Sequence, residues 1–176
     1  MTSLSPISSL PSLPSEDLTT ILDLLFEPSP PLHTLSLPVL RSTHFPSYTV
    51  LISAVNAQLA ALADSASDAD TATLSAILCA HPRLGEKKVD SEQSRREQAQ
   101  LQGGAEEGEK LAALNTEYEE KFPGLRYVVF VNGRPRPVIM ENMRQRIDRG
   151  DIQAERLEAI QAMCDIAADR AAKLGA

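Results

Sequence analysis

A histidine, a hydroxyl, a carboxylate and an amide fall within residues 81–98 of this chain. They lie in His81-Pro82-Arg83-Leu84-Gly85 and in Ser94-Arg95-Arg96-Glu97-Gln98. Proline disfavours the α conformation in the residue before it, so His81 marks a helix-breaking step. The other three fall in the first turns of the next helix. An imidazole near a carboxylate can act as an acid/base pair. Each residue also has a plainer explanation. A histidine at a helix C-terminus serves as a dipole partner or cap. Ser94-x-x-Glu97 has the spacing of a capping box, and Asp90-x-x-Gln93 competes for that role. If Asp90 opens the helix, Ser94 and Glu97 are free to face a pocket. Gln98 would ordinarily be a solvated helix residue. Arg146 lies beside the apolar stripe of its helix, either as a partly buried ion pair or as a clamp for an anionic substrate.

Other chemistries find little support. His33 and His44 sit in Pro-rich connections without acidic neighbours at ligand spacing. No H-x-x-x-H or C-x-x-C pattern exists, so no metal site is expected. Cys79 and His81 are two residues apart and would face different sides of a helix, which disfavours a Cys–His nucleophile. Cys79 and Cys164 fit two reduced core thiols. A formal net charge of -7 argues against a nucleic-acid surface. No apolar run reaches membrane-spanning length. Residues 1–15 are rich in Ser, Leu and Pro but hold no Lys or Arg, unlike a secretory or transit peptide. The final Leu174-Gly175-Ala176 is not a Ser-Lys-Leu type address. The expected location is the cytoplasm, with a peroxisomal one left open.

The chain has 176 residues, 43% of them apolar and 23% charged, which suits one soluble domain with a real core. The spacing predicts a tail over 1–15 and a helical domain over 16–176. The first helix carries Leu18, Ile21, Leu22, Leu25 and Phe26, with Ser15 as its cap. Pro28, Pro30 and Pro31 are expected to end it, leaving a short apolar segment at 35–40. Further helices are predicted over 47–63, around Leu74 to Leu78, and from Asp90-Ser91 to Gly103-Gly104, with Gly108 in a connection. Leu111, Leu114, Tyr118 and Phe122 mark the next, ended by Pro123-Gly124. Tyr127-Val128-Val129-Phe130-Val131 is β-prone but has no partner strand, so it reads as an extended segment threading between helices. Ile139, Met143 and Ile147 lie on a helix ending at Gly150. Asp151 caps the last, with Leu157, Ile160, Cys164 and Ala168 expected inward. The fold class is therefore all-α, a single irregular bundle of seven or eight helices with one extended segment. Composition and periodicity yield nothing more specific.

The ordered motifs do. His81-Pro82-x-Leu84-Gly85, Ser94-x-x-Glu97-Gln98 and Asn115-x-x-Tyr118-x-x-x-Phe122 resemble the 2-oxo-4-hydroxy-4-carboxy-5-ureidoimidazoline decarboxylases of urate degradation. Upstream, Phe26-Glu27-x-Ser29-Pro30 resembles the F-E-x-S-P element of that family. Downstream, the apolar run ending at Gly133 and the helix from Ile139 to Ile147 also match. The resemblance covers about residues 16–170. It departs at Pro31, where the family has an aromatic, and at Gln100, where it has Gly.

The resemblance implies cofactor-free decarboxylation of a small ureide to (S)-allantoin and CO2, by a homodimer. His81 would be the catalytic acid/base and Glu97 would orient or charge-balance it. Ser94 and Gln98 would hydrogen-bond the substrate, Pro82 would shape the wall, and the main chain of Tyr127, Val128, Val129, Phe130 and Val131 would meet the ureide. Arg146 would contact the carboxylate. Two other readings carry over the same residues: a non-catalytic helical binding module, and a hydrolase of another ureide.

Overall fold

The computed structural model describes residues 3–86, 89–99, 101 and 103–176. Among them are eight α-helices and one 3-10 turn, with no strand. The helices are α1 (Ser15–Phe26), α2 (Pro30–Ser42), α3 (Tyr48–Asp64), α4 (Asp68–Leu78), α5 (Glu92–Ala99), α6 (Ala105–Lys121), α7 (Arg136–Arg149) and α8 (Ile152–Lys173). The chain is an all-α bundle, as the periodicity predicts.

Helix α8 is the central member and packs against α1, α3 and α4, while α6 packs against α7. Its capping follows the sequence: Asp151 accepts from the N–H groups of Gln153 and Ala154, both at 3.0 Å. The left-handed Gly150, φ 65°, ends α7 just before it. The inward face of α8 differs from expectation. Leu157 and Ala168 are exposed, and Ala159, Ile160, Met163, Cys164, Ile166 and Ala167 form the buried stripe. An Ala-rich helix offers little hydropathy contrast, and its small residues are the ones that let neighbouring helices approach closely.

Three local expectations are revised. Pro30 and Pro31 do not merely end α1; they are the first residues of α2. Proline suits that position, because the N–H it lacks has no partner there. The apolar segment at 35–40 is accordingly helical. Gly108 lies within α6. Ser15 is the first residue of α1 and its hydroxyl accepts from Arg41 at 2.6 Å instead of capping. The Ser/Pro-rich segment packs on the bundle: Leu10 is fully buried, and the Ser5 carbonyl accepts from Tyr48 Oη at 2.7 Å.

Helix α5 has only Ser94 buried, and its one apolar side chain, Ala99, is exposed. Burial cannot hold it in place. Its contacts are polar, and most belong to the candidate site.

Candidate active site

His81 follows the C-terminal turn of α4. Arg126 donates to the carbonyls of Cys79 and His81, at 2.8 and 3.3 Å, and so takes up acceptors left over at the helix end. Beyond Pro82 the loop is pinned from three sides. Gln98 accepts from Gly85 N–H at 3.0 Å and donates to the Arg83 carbonyl at 3.1 Å. Asn115 donates to the Leu84 carbonyl at 3.0 Å. Arg83 itself forks onto both oxygens of Glu119, at 2.5 and 2.9 Å. Gly85 is required, because φ is +79° and a Cβ would stand 2.9 Å from Leu111 Cδ2.

Neither Asp90 nor Ser94 caps α5. Ser91 does, its Oγ accepting from Ser94 N–H at 3.2 Å. Ser94 and Glu97 therefore turn inward, where they meet two residues that the sequence reading left without a role. Arg170 of α8 donates Nε and Nη2 to the two Glu97 oxygens at 2.7 and 2.8 Å. The same Nη2 reaches Glu27 Oε1 at 2.7 Å and Ser94 Oγ at 3.0 Å. Ser94 in turn donates to Glu27 Oε1. Arg170, Glu27 and Ser94 are all buried.

The register of α8 explains why Arg170 is buried. Met163, Ile166, Ala167 and Arg170 share one helical stripe, and an arginine on a buried stripe demands a buried acidic partner. Glu27 gives a second signal in the structure. Its φ of 74° and ψ of 152° lie in a region almost reserved for glycine, a strain of about 1–3 kcal/mol.

His81 is 5% exposed, and its Nε2 has no hydrogen-bond partner among the described residues. Burial chiefly, and then the Arg170 charge, push its pKa down to about 4, with Glu27 pulling the other way. The imidazole is neutral at pH 7.

The cavity it borders has a volume of about 320 Å³. His81, Pro82, Ser94, Glu97, Gln98 and Tyr127 to Val131 all line it. Leu84, Asn132, Gly133, Ile166, Asp169 and Lys173 complete the wall and were not foreseen. Lys173 pairs with Asp169 at 2.5 Å. Pro31 does not border the cavity, and Gln100 lies outside the described residues.

The extended segment is held from one side. Arg146 Nη1 donates to the Val128 carbonyl at 3.0 Å, and Arg134 donates to those of Phe130 and Val131 at 2.5 and 3.2 Å. The N–H groups of Tyr127 to Val131 have no acceptor among the described residues. Arg146 is the one expected site residue that the cavity leaves out. It is buried in a pair with Glu155, whose oxygens lie 2.9 to 3.1 Å from its guanidinium nitrogens. Its guanidinium also stacks 4.7 Å from the Tyr127 ring centre. Glu155 also accepts from Arg149 Nη2 at 2.5 Å and from Tyr118 Oη at 2.6 Å, so Arg146 belongs to a buried network and braces the segment from outside the cavity wall.

No group of three or more His, Cys, Asp or Glu side chains among the described residues is arranged to hold a metal. No described helix is long and apolar enough to cross a membrane. The arrangement offers one neutral, desolvated imidazole, one carboxylate locked by an arginine, and a row of amides without an acceptor among the described residues. That set can exchange a proton with a small polar molecule while holding its N–H and C=O groups. A search of curated proteins found no match. A family model described as OHCU decarboxylase matches residues 11–172, and the chain belongs to that family.

Proposed function

We propose that this protein decarboxylates 2-oxo-4-hydroxy-4-carboxy-5-ureidoimidazoline to (S)-allantoin and CO2, without a cofactor, in urate degradation. The observation that carries the reading is His81 Nε2: a buried nitrogen with no partner among the described residues, bordering a cavity built from the motif residues of the family. A buried polar atom without a partner is the group a ligand satisfies.

The substrate supplies its own electron sink. Its carboxylate is on a ring carbon that also bears a hydroxyl, next to an imine carbon. As the C–C bond breaks, its electron pair moves into the C=N group and CO2 leaves. The hydroxyl carbon becomes the carbonyl of allantoin once its O–H proton is removed, and the neighbouring carbon gains a proton on one face. Neutral His81 is able to accept the hydroxyl proton. An anionic substrate beside it favours the imidazolium that forms, adding to the pull of Glu27. Glu97, fixed by Arg170, accepts from ureide or ring N–H groups. The N–H groups of the 127–131 segment donate to the ureide oxygens and hold one face toward the proton donor, which is the basis of the stereochemistry. Gln98 and Pro82 shape the wall. The active species in this reading is a homodimer.

The test is CO2 release from substrate generated in situ from urate by uricase and 5-hydroxyisourate hydrolase. The reading predicts release well above the spontaneous rate on addition of this protein. Release at the spontaneous rate contradicts it and leaves a binding module of the same fold.

A further inference from the structure

Glu27 does a job that the turn it occupies does not require. A glycine would leave α1 in the same φ 74° conformation without strain, yet the chain places a buried glutamate there. Neutralising Arg170 does not explain it either. Glu97 already grips that guanidinium with both oxygens, at 2.7 and 2.8 Å. A second buried carboxylate leaves the cluster with excess negative charge, which is unfavourable in a desolvated place. Its geometry is more informative. Glu27 Oε1 accepts from both Arg170 Nη2 and Ser94 Oγ. It is not among the residues lining the cavity that His81 borders. It lines instead a second one, with Pro28, Pro82, Asp90 and Arg126.

These contacts fix the plane of the guanidinium from a third direction. A guanidinium held by Glu97 alone can pivot about that pair, and Glu97 pivots with it. Glu27 and Ser94 restrain that pivot and with it the orientation in which the carboxylate of Glu97 meets the cavity.

We propose that Glu27 is a positioning residue of the decarboxylation site, acting through Arg170 and Ser94 to hold Glu97 in register with His81. The proposal rests on the decarboxylase reading. The strained backbone is then the local consequence of placing a carboxylate behind the arginine, the pattern expected where strain is kept at a functional site.

The experiment measures kcat, KM and thermal unfolding for the wild type, Glu27→Gln and Glu27→Gly, with substrate generated in situ. Glu27→Gln keeps the volume and an oxygen that accepts from the same two donors, so it folds and loses only the charge. Glu27→Gly relaxes the turn and removes every contact. The expected result is kcat lowered about tenfold in the first and about a hundredfold in the second, with KM changed by less than about threefold. Loss confined to Glu27→Gly assigns the positioning to the hydrogen bonds alone and supports the proposal. Wild-type kcat in Glu27→Gln, together with wild-type kcat or failure to fold in Glu27→Gly, overturns it. A rise in KM at constant kcat overturns it too. An inactive wild type removes the decarboxylase reading and this proposal together, whereas an active wild type with unaffected variants removes only the proposal.

Discussion

Arg170 and Glu97 meet with two hydrogen bonds of 2.7 and 2.8 Å although 73 positions separate them in sequence. This pair joins α8, the most deeply packed helix, to α5, which buries no apolar side chain. The site is thus part of what holds the fold around it.

Arg170→Met should therefore damage both. It leaves Glu27 and Glu97 facing each other without a cation, a loss of about 3–5 kcal/mol for breaking a buried pair. Urea denaturation should show a lower midpoint. Arg170→Lys keeps the charge but cannot serve Glu97, Glu27 and Ser94 together, so it should lose most activity. An unchanged midpoint for the Met variant contradicts the role given to this arginine.

The buried imidazole makes stability depend on pH in a defined direction. The pKa of His81 is about 4 in the fold, against an ordinary 6.5. Between these values the unfolded chain binds the extra proton. The neutral imidazole thus stabilises the fold fully above pH 6.5, and that contribution, about 3 kcal/mol, is lost as pH falls toward 4. Comparing wild type with His81→Gln isolates it. The wild type should lose more stability than the variant over that window, and parallel curves would show that His81 is not desolvated.

Arg146 and Glu155 make the companion case. Glu155 is fully buried and also accepts from Tyr118 Oη at 2.6 Å. Arg146→Met should lower the urea midpoint by about 3–5 kcal/mol in equivalent stability. A variant that stays as stable as the wild type but binds substrate weakly would support the clamp that the sequence suggested.

Two serines before helices should behave differently. Ser47 Oγ accepts from Val50 N–H at 3.3 Å, so Ser47→Ala should cost about 1 kcal/mol. Ser29 precedes α2, but its buried Oγ has no partner among the described residues. Ser29→Ala should be neutral or stabilising, since it removes a desolvated hydroxyl. Equal losses in thermal melts would show that Ser29 makes a bond after all.

Much of the site was legible because its parts are local. Proline after His81, the spacing of Ser94, Glu97 and Gln98, and the unpartnered run at 127–131 can each be read in a short window. Arg170 was not, since in Asp169-Arg170-Ala171-Ala172-Lys173 it looks like one more charge near a helix end. Only the register of α8 reveals that it points inward, and the Ala-rich composition hid that register, as Leu157 and Ala168 attest. Arg146 is the opposite case. Its position beside an apolar stripe was visible, but the carboxylate that claims it belongs to the next helix. Glu27 stood within a matched motif, yet a positive φ leaves no trace in sequence.

The most direct measurement is circular dichroism during urate breakdown, with uricase and 5-hydroxyisourate hydrolase present and this protein added last. The account predicts rapid growth of the (S)-allantoin signal with the wild type and none above the spontaneous background with His81→Ala. A signal that stays racemic with the wild type, or grows equally fast with His81→Ala, contradicts it.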